Sequence, residues 1–111
     1  RIEQVIINFM TNAIKYSPGT SEIQINLRNE NGRLYLGVRD FGIGIDEKQQ
    51  QSVFDKFFRV EETAIQFQGL GIGLYISAEI IRRHGGEVGV KSTPGEGSEF
   101  YFYIPLTSET E

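Results

Sequence analysis

A chain of 111 residues has room for one domain and one core, and none for a second catalytic unit. Its composition, 39% apolar and 23% charged with a net charge of −4, is that of an ordinary globular domain and argues against a nucleic-acid surface, which needs clustered basic residues. The absence of Cys excludes a disulfide framework and a thiolate metal site, and neither a signal peptide nor an apolar run of the roughly 18 residues needed to span a membrane is present.

Ile2, Val5, Ile6, Phe9 and Ala13, with Met10 and Ile14 nearby, recur at helical spacing and predict a helix over residues 2–16, ended by Ser17-Pro18-Gly19-Thr20. Arg1 already stands inside that pattern, so the chain is expected to begin partway through a larger protein. Ile23, Ile25 and Leu27 alternate with Gln24, Asn26 and Arg28, as in a half-buried strand. After a turn at Asn29-Glu30-Asn31-Gly32, Leu34, Leu36 and Val38 alternate with Tyr35, Gly37 and Arg39 and complete a hairpin. Residues 46–51 read as a short helix with an acidic start, and residues 60–70 lack periodicity and read as a long loop. A helix is predicted from Gly73 to His84 through Leu74, Tyr75, Ala78 and Ile81, stopped by Gly85-Gly86. Two last strands follow, Glu87–Ser92 and Ser98–Ile104, with Phe100, Phe102 and Ile104 sharing one face. Helices and antiparallel hairpins in this order predict a two-layer α/β sandwich over residues 1–106, helices on one sheet face, with a polar tail at 107–111.

Several side chains are out of place for mere packing. Arg1, Gln4, Asn8, Asn12 and Lys15 fall in one helical stripe, read as opposite the apolar face. Asn is a mediocre helix-interior residue, so two of them one turn apart mark either a solvated face or a ligand site. An amide oxygen suits Mg²⁺, which bridges phosphates while keeping several waters. Asp40 continues the parity of Leu34, Leu36 and Val38, which aims its carboxylate at the core. Such burial is costly unless the group is hydrogen-bonded or paired, and the alternative is an Asp turned to solvent to cap a turn. Asp40-Phe41-Gly42 also spells the DFG of eukaryotic-type protein kinases, but their HRD and V-A-I-K motifs are absent. In Phe54-x-x-Phe57-Phe58-Arg59, Phe54 and Phe57 suit a core, while the Arg59 guanidinium can hold phosphates, with Lys56 either a second cation or an exposed lysine beside Asp55. Gly69-x-Gly71-x-Gly73 leads into a helix, whose N-terminus favours anions, without matching the Walker or Rossmann pattern.

In order, Asn8-x-x-x-Asn12-x-x-Lys15-Tyr16, Asp40-Phe41-Gly42-Ile43-Gly44, Phe54-Asp55-Lys56-Phe57-Phe58-Arg59 and Gly69-Leu70-Gly71-Ile72-Gly73-Leu74 resemble the N, G1, F and G2 boxes of sensor histidine kinases, a branch of the GHKL ATPase group. The resemblance runs from residue 1 to about residue 105. It implies the Bergerat fold, with a mostly antiparallel mixed sheet, and binding of Mg²⁺ and ATP. It further implies transfer of the γ-phosphate, leaving ADP, to a histidine on a dimerisation domain absent from this chain, for relay to an aspartate of a response-regulator receiver domain. The implied setting is a cytoplasmic domain of a membrane-anchored bacterial sensor, itself without membrane contact.

By the same resemblance Asn12 holds the metal, Asn8, Lys15 and Tyr16 line the nucleotide, and Asp40 accepts a hydrogen bond from the adenine amino group beside Gly42, Gly44 and Ile45. Phe57 and Arg59 join the site, as do Gly69, Leu70, Gly71, Ile72, Gly73 and Leu74 around the phosphates, with Asn8, Lys56 and Arg59 as the catalytic set. Residues 60–70 resemble the family's mobile lid. Two departures stand out: the short strand before the first helix has no counterpart, and Leu70 replaces an often small or polar residue; within the fold group, Asn8 stands where the ATP-hydrolysing machines carry a glutamate base. The last favours a kinase over such an ATPase; a non-catalytic nucleotide-binding regulatory module is the third alternative. His84, the sole histidine, lacks the acidic and proline neighbours of the family's phosphoacceptor and is read as a helix-end residue.

Overall fold

The computed structural model describes residues 2–16, 22–42, 44–50, 53–54 and 70–106. Their elements are helix α1 (Ile2–Tyr16), strands β1 (Ile23–Glu30) and β2 (Arg33–Asp40), helix α2 (Glu47–Gln50), helix α3 (Leu70–Arg83), and strands β3 (Glu87–Thr93) and β4 (Gly97–Pro105). The strands form one sheet in the order β1-β2-β4-β3, and every pairing among them is antiparallel. The β1–β2 hairpin closes on two residues, Asn31 and Gly32, with φ of 56° and 82°. That is tighter than the four-residue turn expected, because Asn-Gly tolerates the paired positive φ whose twist matches the flanking strands.

α1 and α3 lie on one face of the sheet, where the apolar periodicities meet. Val5, Phe9 and Ala13 from α1, Leu74, Ile80 and Ile81 from α3, and Leu36, Val38, Phe100 and Phe102 from the strands form the core. The Phe9 ring sits 6.0 Å from Phe100 and 6.1 Å from Phe102, and Phe54 meets Phe100 edge-on at 6.2 Å. α3 ends as expected: the Gly86 and Gly85 N–H groups donate to the carbonyls of Ile81 and Arg82, each at 2.9 Å. His84 Nδ1 donates to the Ile80 carbonyl at 2.8 Å, which makes it a helix-end cap.

The opposite sheet face covers itself. Tyr35 is fully buried there without a helix above it: Tyr101 stacks on it at 5.4 Å and the Arg28 guanidinium lies 4.0 Å over its ring. Its hydroxyl donates to Glu99 Oε2 at 2.6 Å, and burial together with that bond pushes the phenol above its ordinary range.

Two expectations fail, each because of where α1 docks. β1 was expected half-buried, yet Ile25 is 49% and Leu27 is 62% exposed. α1 docks mainly over β2 and reaches little of β1, so the edge strand keeps its alternation without a cover. Leu27→Ser should therefore change the unfolding free energy by less than about 1 kcal/mol in a urea titration; a loss of several times that would mean Leu27 is buried. The Asn stripe of α1, expected opposite the apolar face, instead flanks it: Asn12 is buried and Asn8 half-buried, because α3 packs against that side.

Candidate functional site

Asp40 ends β2 on the parity of Leu36 and Val38, and it is fully buried on the helix-facing side. The solvent-facing alternative is excluded. Its Oδ1 accepts the Gly42 N–H at 3.0 Å and the Ser98 N–H at 3.3 Å. Two backbone donors on a carboxylate are charge-assisted bonds that lower the cost of burying it. They also fix its orientation, since one comes from the turn after β2 and the other from β4. Gly97 starts β4 at φ 117°, and a Cβ there would lie 2.2 Å from the Asp40 carbonyl oxygen, so only glycine lets the two strands meet this closely.

Beyond Asp40 the chain bends at Gly42, and Gly44 and Ile45 lie against β3 and the β3–β4 turn. Gly44 has φ 76°, and a Cβ on it would come within 2.4 Å of the Thr93 carbonyl oxygen. Ile45, 2% exposed, joins the core. Its N–H donates to Ser92 Oγ at 2.7 Å, and its carbonyl accepts from Gln50 Nε2 at 2.7 Å. Gln50 Nε2 also donates to the Ser92 carbonyl at 3.1 Å, and Ser92 Oγ lies 2.8 Å from Ser98 Oγ. Sequence reasoning missed this network. The signal for it was the one that marked Asp40: Ser92 and Ser98 are polar residues on the inward parity of Val88–Val90 and Phe100–Phe102.

On the helix side, α3 begins at Leu70, three residues before the periodicity placed it, so the backbone of Leu70, Gly71, Ile72 and Gly73 forms its first turn. That turn carries no acidic side chain, which leaves its N-terminal N–H groups and dipole favourable to an anion. Asn8 Nδ2 donates to Ser77 Oγ at 3.0 Å and to the Gly73 carbonyl at 3.3 Å, tying α1 to the start of α3. Asn12, one turn along, is 4% exposed, and its Nδ2 is buried with no hydrogen-bond partner among the described residues. An amide left so is costly unless something else engages it.

The structure thus joins Asp40 to Gly42, and Asn8 to Gly73. Ile45 and Leu74 are buried core side chains. Lys15 and Tyr16 belong to α1, with side chains outside the described residues; Lys56, Phe57, Arg59 and Gly69 lie outside them altogether. A buried acceptor beside a tight glycine turn, an unengaged buried amide and an acid-free helix start fit a nucleotide with phosphates. No group of three or more His, Asp or Glu among the described residues is placed to hold a metal alone, so an ion at Asn12 would need phosphate and water as further ligands.

Residues 1–108 match the family described as histidine kinase-, DNA gyrase B- and HSP90-like ATPases. Among curated relatives, the sensor histidine kinase WalK of Bacillus subtilis is 39% identical over an alignment covering 100% of this chain and 19% of WalK. The sensor histidine kinase RcsC of Escherichia coli K12 is 43% identical over 96% of this chain and 11% of RcsC. The chain therefore spans a small part of the relatives it matches. Among solved structures, the catalytic domain of the histidine kinase ThkA superimposes with a TM-score of 0.81 at 32% identity, covering 99% of this chain and 69% of that one. Full-length ShkA in complex with AMPPNP gives a TM-score of 0.80 at 28% identity, covering 96% of this chain and 21% of that one. With the sheet order, the buried Asp40 and the family match over nearly its whole length in agreement, the chain belongs to the histidine kinase-, DNA gyrase B- and HSP90-like ATPase family.

Proposed function

We propose that this chain is the ATP-binding catalytic domain of a two-component sensor histidine kinase. The observation that carries the reading is Asp40, fully buried and oriented by two backbone N–H groups at the mouth of a glycine turn. A carboxylate is an acceptor with about four sites, the chemistry that the amino group of adenine requires. Asn8 and the first turn of α3 lie toward the phosphates. Lys15 and Tyr16 complete the lining, and Arg59, with Lys56, meets the γ-phosphate. Asn12 would hold Mg²⁺ through its amide oxygen, and the ion would neutralise charge on the phosphates.

The reaction moves the γ-phosphoryl group from ATP to an imidazole nitrogen of a histidine on a dimerisation domain of the parent protein, leaving ADP. A response-regulator aspartate then accepts it. Phosphoryl transfer asks mainly for positioning and charge stabilisation, which is what this chain's residues offer. The names of the relatives and the AMPPNP bound to the ShkA neighbour support the reading. Among the described residues no helix is long and apolar enough to cross a membrane. The resemblance to sensor kinases supports a cytoplasmic domain of a membrane-anchored parent.

Competition against a fluorescent nucleotide, with and without Mg²⁺, tests the pocket, and phosphorylation of a separately supplied histidine-bearing helical domain tests the reaction. ATP should displace the probe about tenfold better than GTP, because guanine presents an oxygen where Asp40 needs a donor. Equal displacement by the two would place the base elsewhere, and tight ATP binding with no transfer to any histidine domain would favour a non-catalytic module.

A further inference from the structure

We infer that Gln50 is a positioning residue for the purine end of the site, its side-chain amide holding the Ile45 backbone of the glycine turn in register behind Asp40. The inference rests on Asp40 being the base acceptor. α2 is only four residues long, its last N–H, that of Gln50, donating to the Asp46 carbonyl at 3.0 Å, and so short a helix has little stability of its own. What fixes it is its contact with β3 and the Gln50 amide, which donates at once to Ile45 O at 2.7 Å and Ser92 O at 3.1 Å.

Ile45 shows why this matters. It lies in no strand, so neither of its backbone polar groups has a ladder partner, yet it is buried. Two side chains satisfy it, Ser92 Oγ taking the N–H and Gln50 Nε2 the carbonyl. Ser92 has no spare capacity: its one hydroxyl proton goes to the Gly97 carbonyl at 2.9 Å, and it accepts from Ile45 N–H and from the Ser98 hydroxyl. Ser98 in turn gives its N–H to Asp40 Oδ1. The path Gln50–Ile45–Ser92–Ser98–Asp40 therefore connects α2 to the base acceptor through hydrogen bonds. Gln50 touches no ligand; it acts through the turn.

Loss of the amide leaves the buried Ile45 carbonyl without its donor, and the turn must shift to find another. The shift falls on the base and spares the phosphates. In titrations of the whole 111-residue chain, well below its melting temperature, Gln50→Leu should weaken adenosine and ATP by the same factor, about fivefold to tenfold, and leave inorganic triphosphate unchanged. Gln50→Glu, whose carboxylate would face two carbonyls, should weaken both further. Gln50→Lys, which can donate to both carbonyls, should return affinity to within about twofold of the parent. With a histidine domain supplied, KM for ATP should rise in Gln50→Leu while kcat stays unchanged.

A purely structural role would lower the melting temperature and leave the adenosine affinity of the folded chain untouched, and that result overturns the inference. So would equal weakening by Gln50→Leu and Gln50→Lys. Asp40→Asn in the same series separates the two failures. If it weakens adenosine while Gln50→Leu does not, the positioning role alone is lost. If neither does, or the parent binds no adenosine, the base assignment falls and the role of Gln50 falls with it.

Discussion

Asp40→Asn should weaken ATP binding by about 30- to 150-fold, or roughly 2–3 kcal/mol. The substitution is close to isosteric, and the Asn oxygen can keep the N–H bonds that Gly42 and Ser98 make to Oδ1. The fold should therefore survive. What changes is the atom left to face adenine. A carboxylate oxygen accepts from the amino group, whereas an amide nitrogen opposes it with hydrogens of its own, donor against donor. The site thus loses a charge-assisted bond and gains a repulsion inside a buried environment, where neither is relieved by water. Fluorescent-nucleotide titration checks this, with GTP as internal control. GTP affinity should move far less, since guanine never made the bond. Equal losses for both nucleotides would point to general damage, and no loss for ATP would remove Asp40 from the pocket.

Asp40 was legible because parity along one strand is a local property. A carboxylate in the series Leu34, Leu36, Val38 can only point where they point, and the structure buries it. The inward serines obeyed the same rule and could have been found by it. Features set by docking were not legible. The alternation of Ile23, Ile25 and Leu27 encodes a pleat, but whether a helix covers the pleat depends on where α1 sits, and it sits over β2. A helical wheel orders side chains around α1 without stating which flank meets α3, so the Asn stripe was read as opposite the apolar face when it lies at a helix–helix contact. The start of α3 was hidden by Gly-Leu-Gly-Ile-Gly, which scores as loop on propensity alone. Contact with Asn8 holds that turn, a long-range bond overriding a local preference. Gln50 carried no signal, since a polar residue in a polar segment looks like surface until its two carbonyl partners are in view.

The cationic half of the site rests on the family resemblance, and Arg59→Ala tests it by separating binding from catalysis. ATP affinity should fall by less than about threefold, because in the proposed site Asp40 would still hold the adenine end. Phosphoryl transfer to a supplied histidine domain should fall by about 100-fold. The asymmetry follows from where charge accumulates. In the ground state of the proposed site the γ-phosphate would share its charge with Mg²⁺, water and the helix start, and one guanidinium would add little. As the bond to the leaving oxygen loosens, a cation placed beforehand stabilises the transition state at no cost of reorganisation. Arg59→Lys should recover only part of the rate, since an ammonium cannot span two phosphate oxygens as a planar fork does. Single-turnover transfer at saturating ATP, beside equilibrium titration, measures both quantities on one preparation. If Arg59→Ala transfers at the parent rate while Lys56→Ala does not, the catalytic cation is Lys56; if neither substitution slows transfer, the charge comes from the dimerisation domain, and the catalytic set assigned to this chain shrinks to its nucleotide-positioning half.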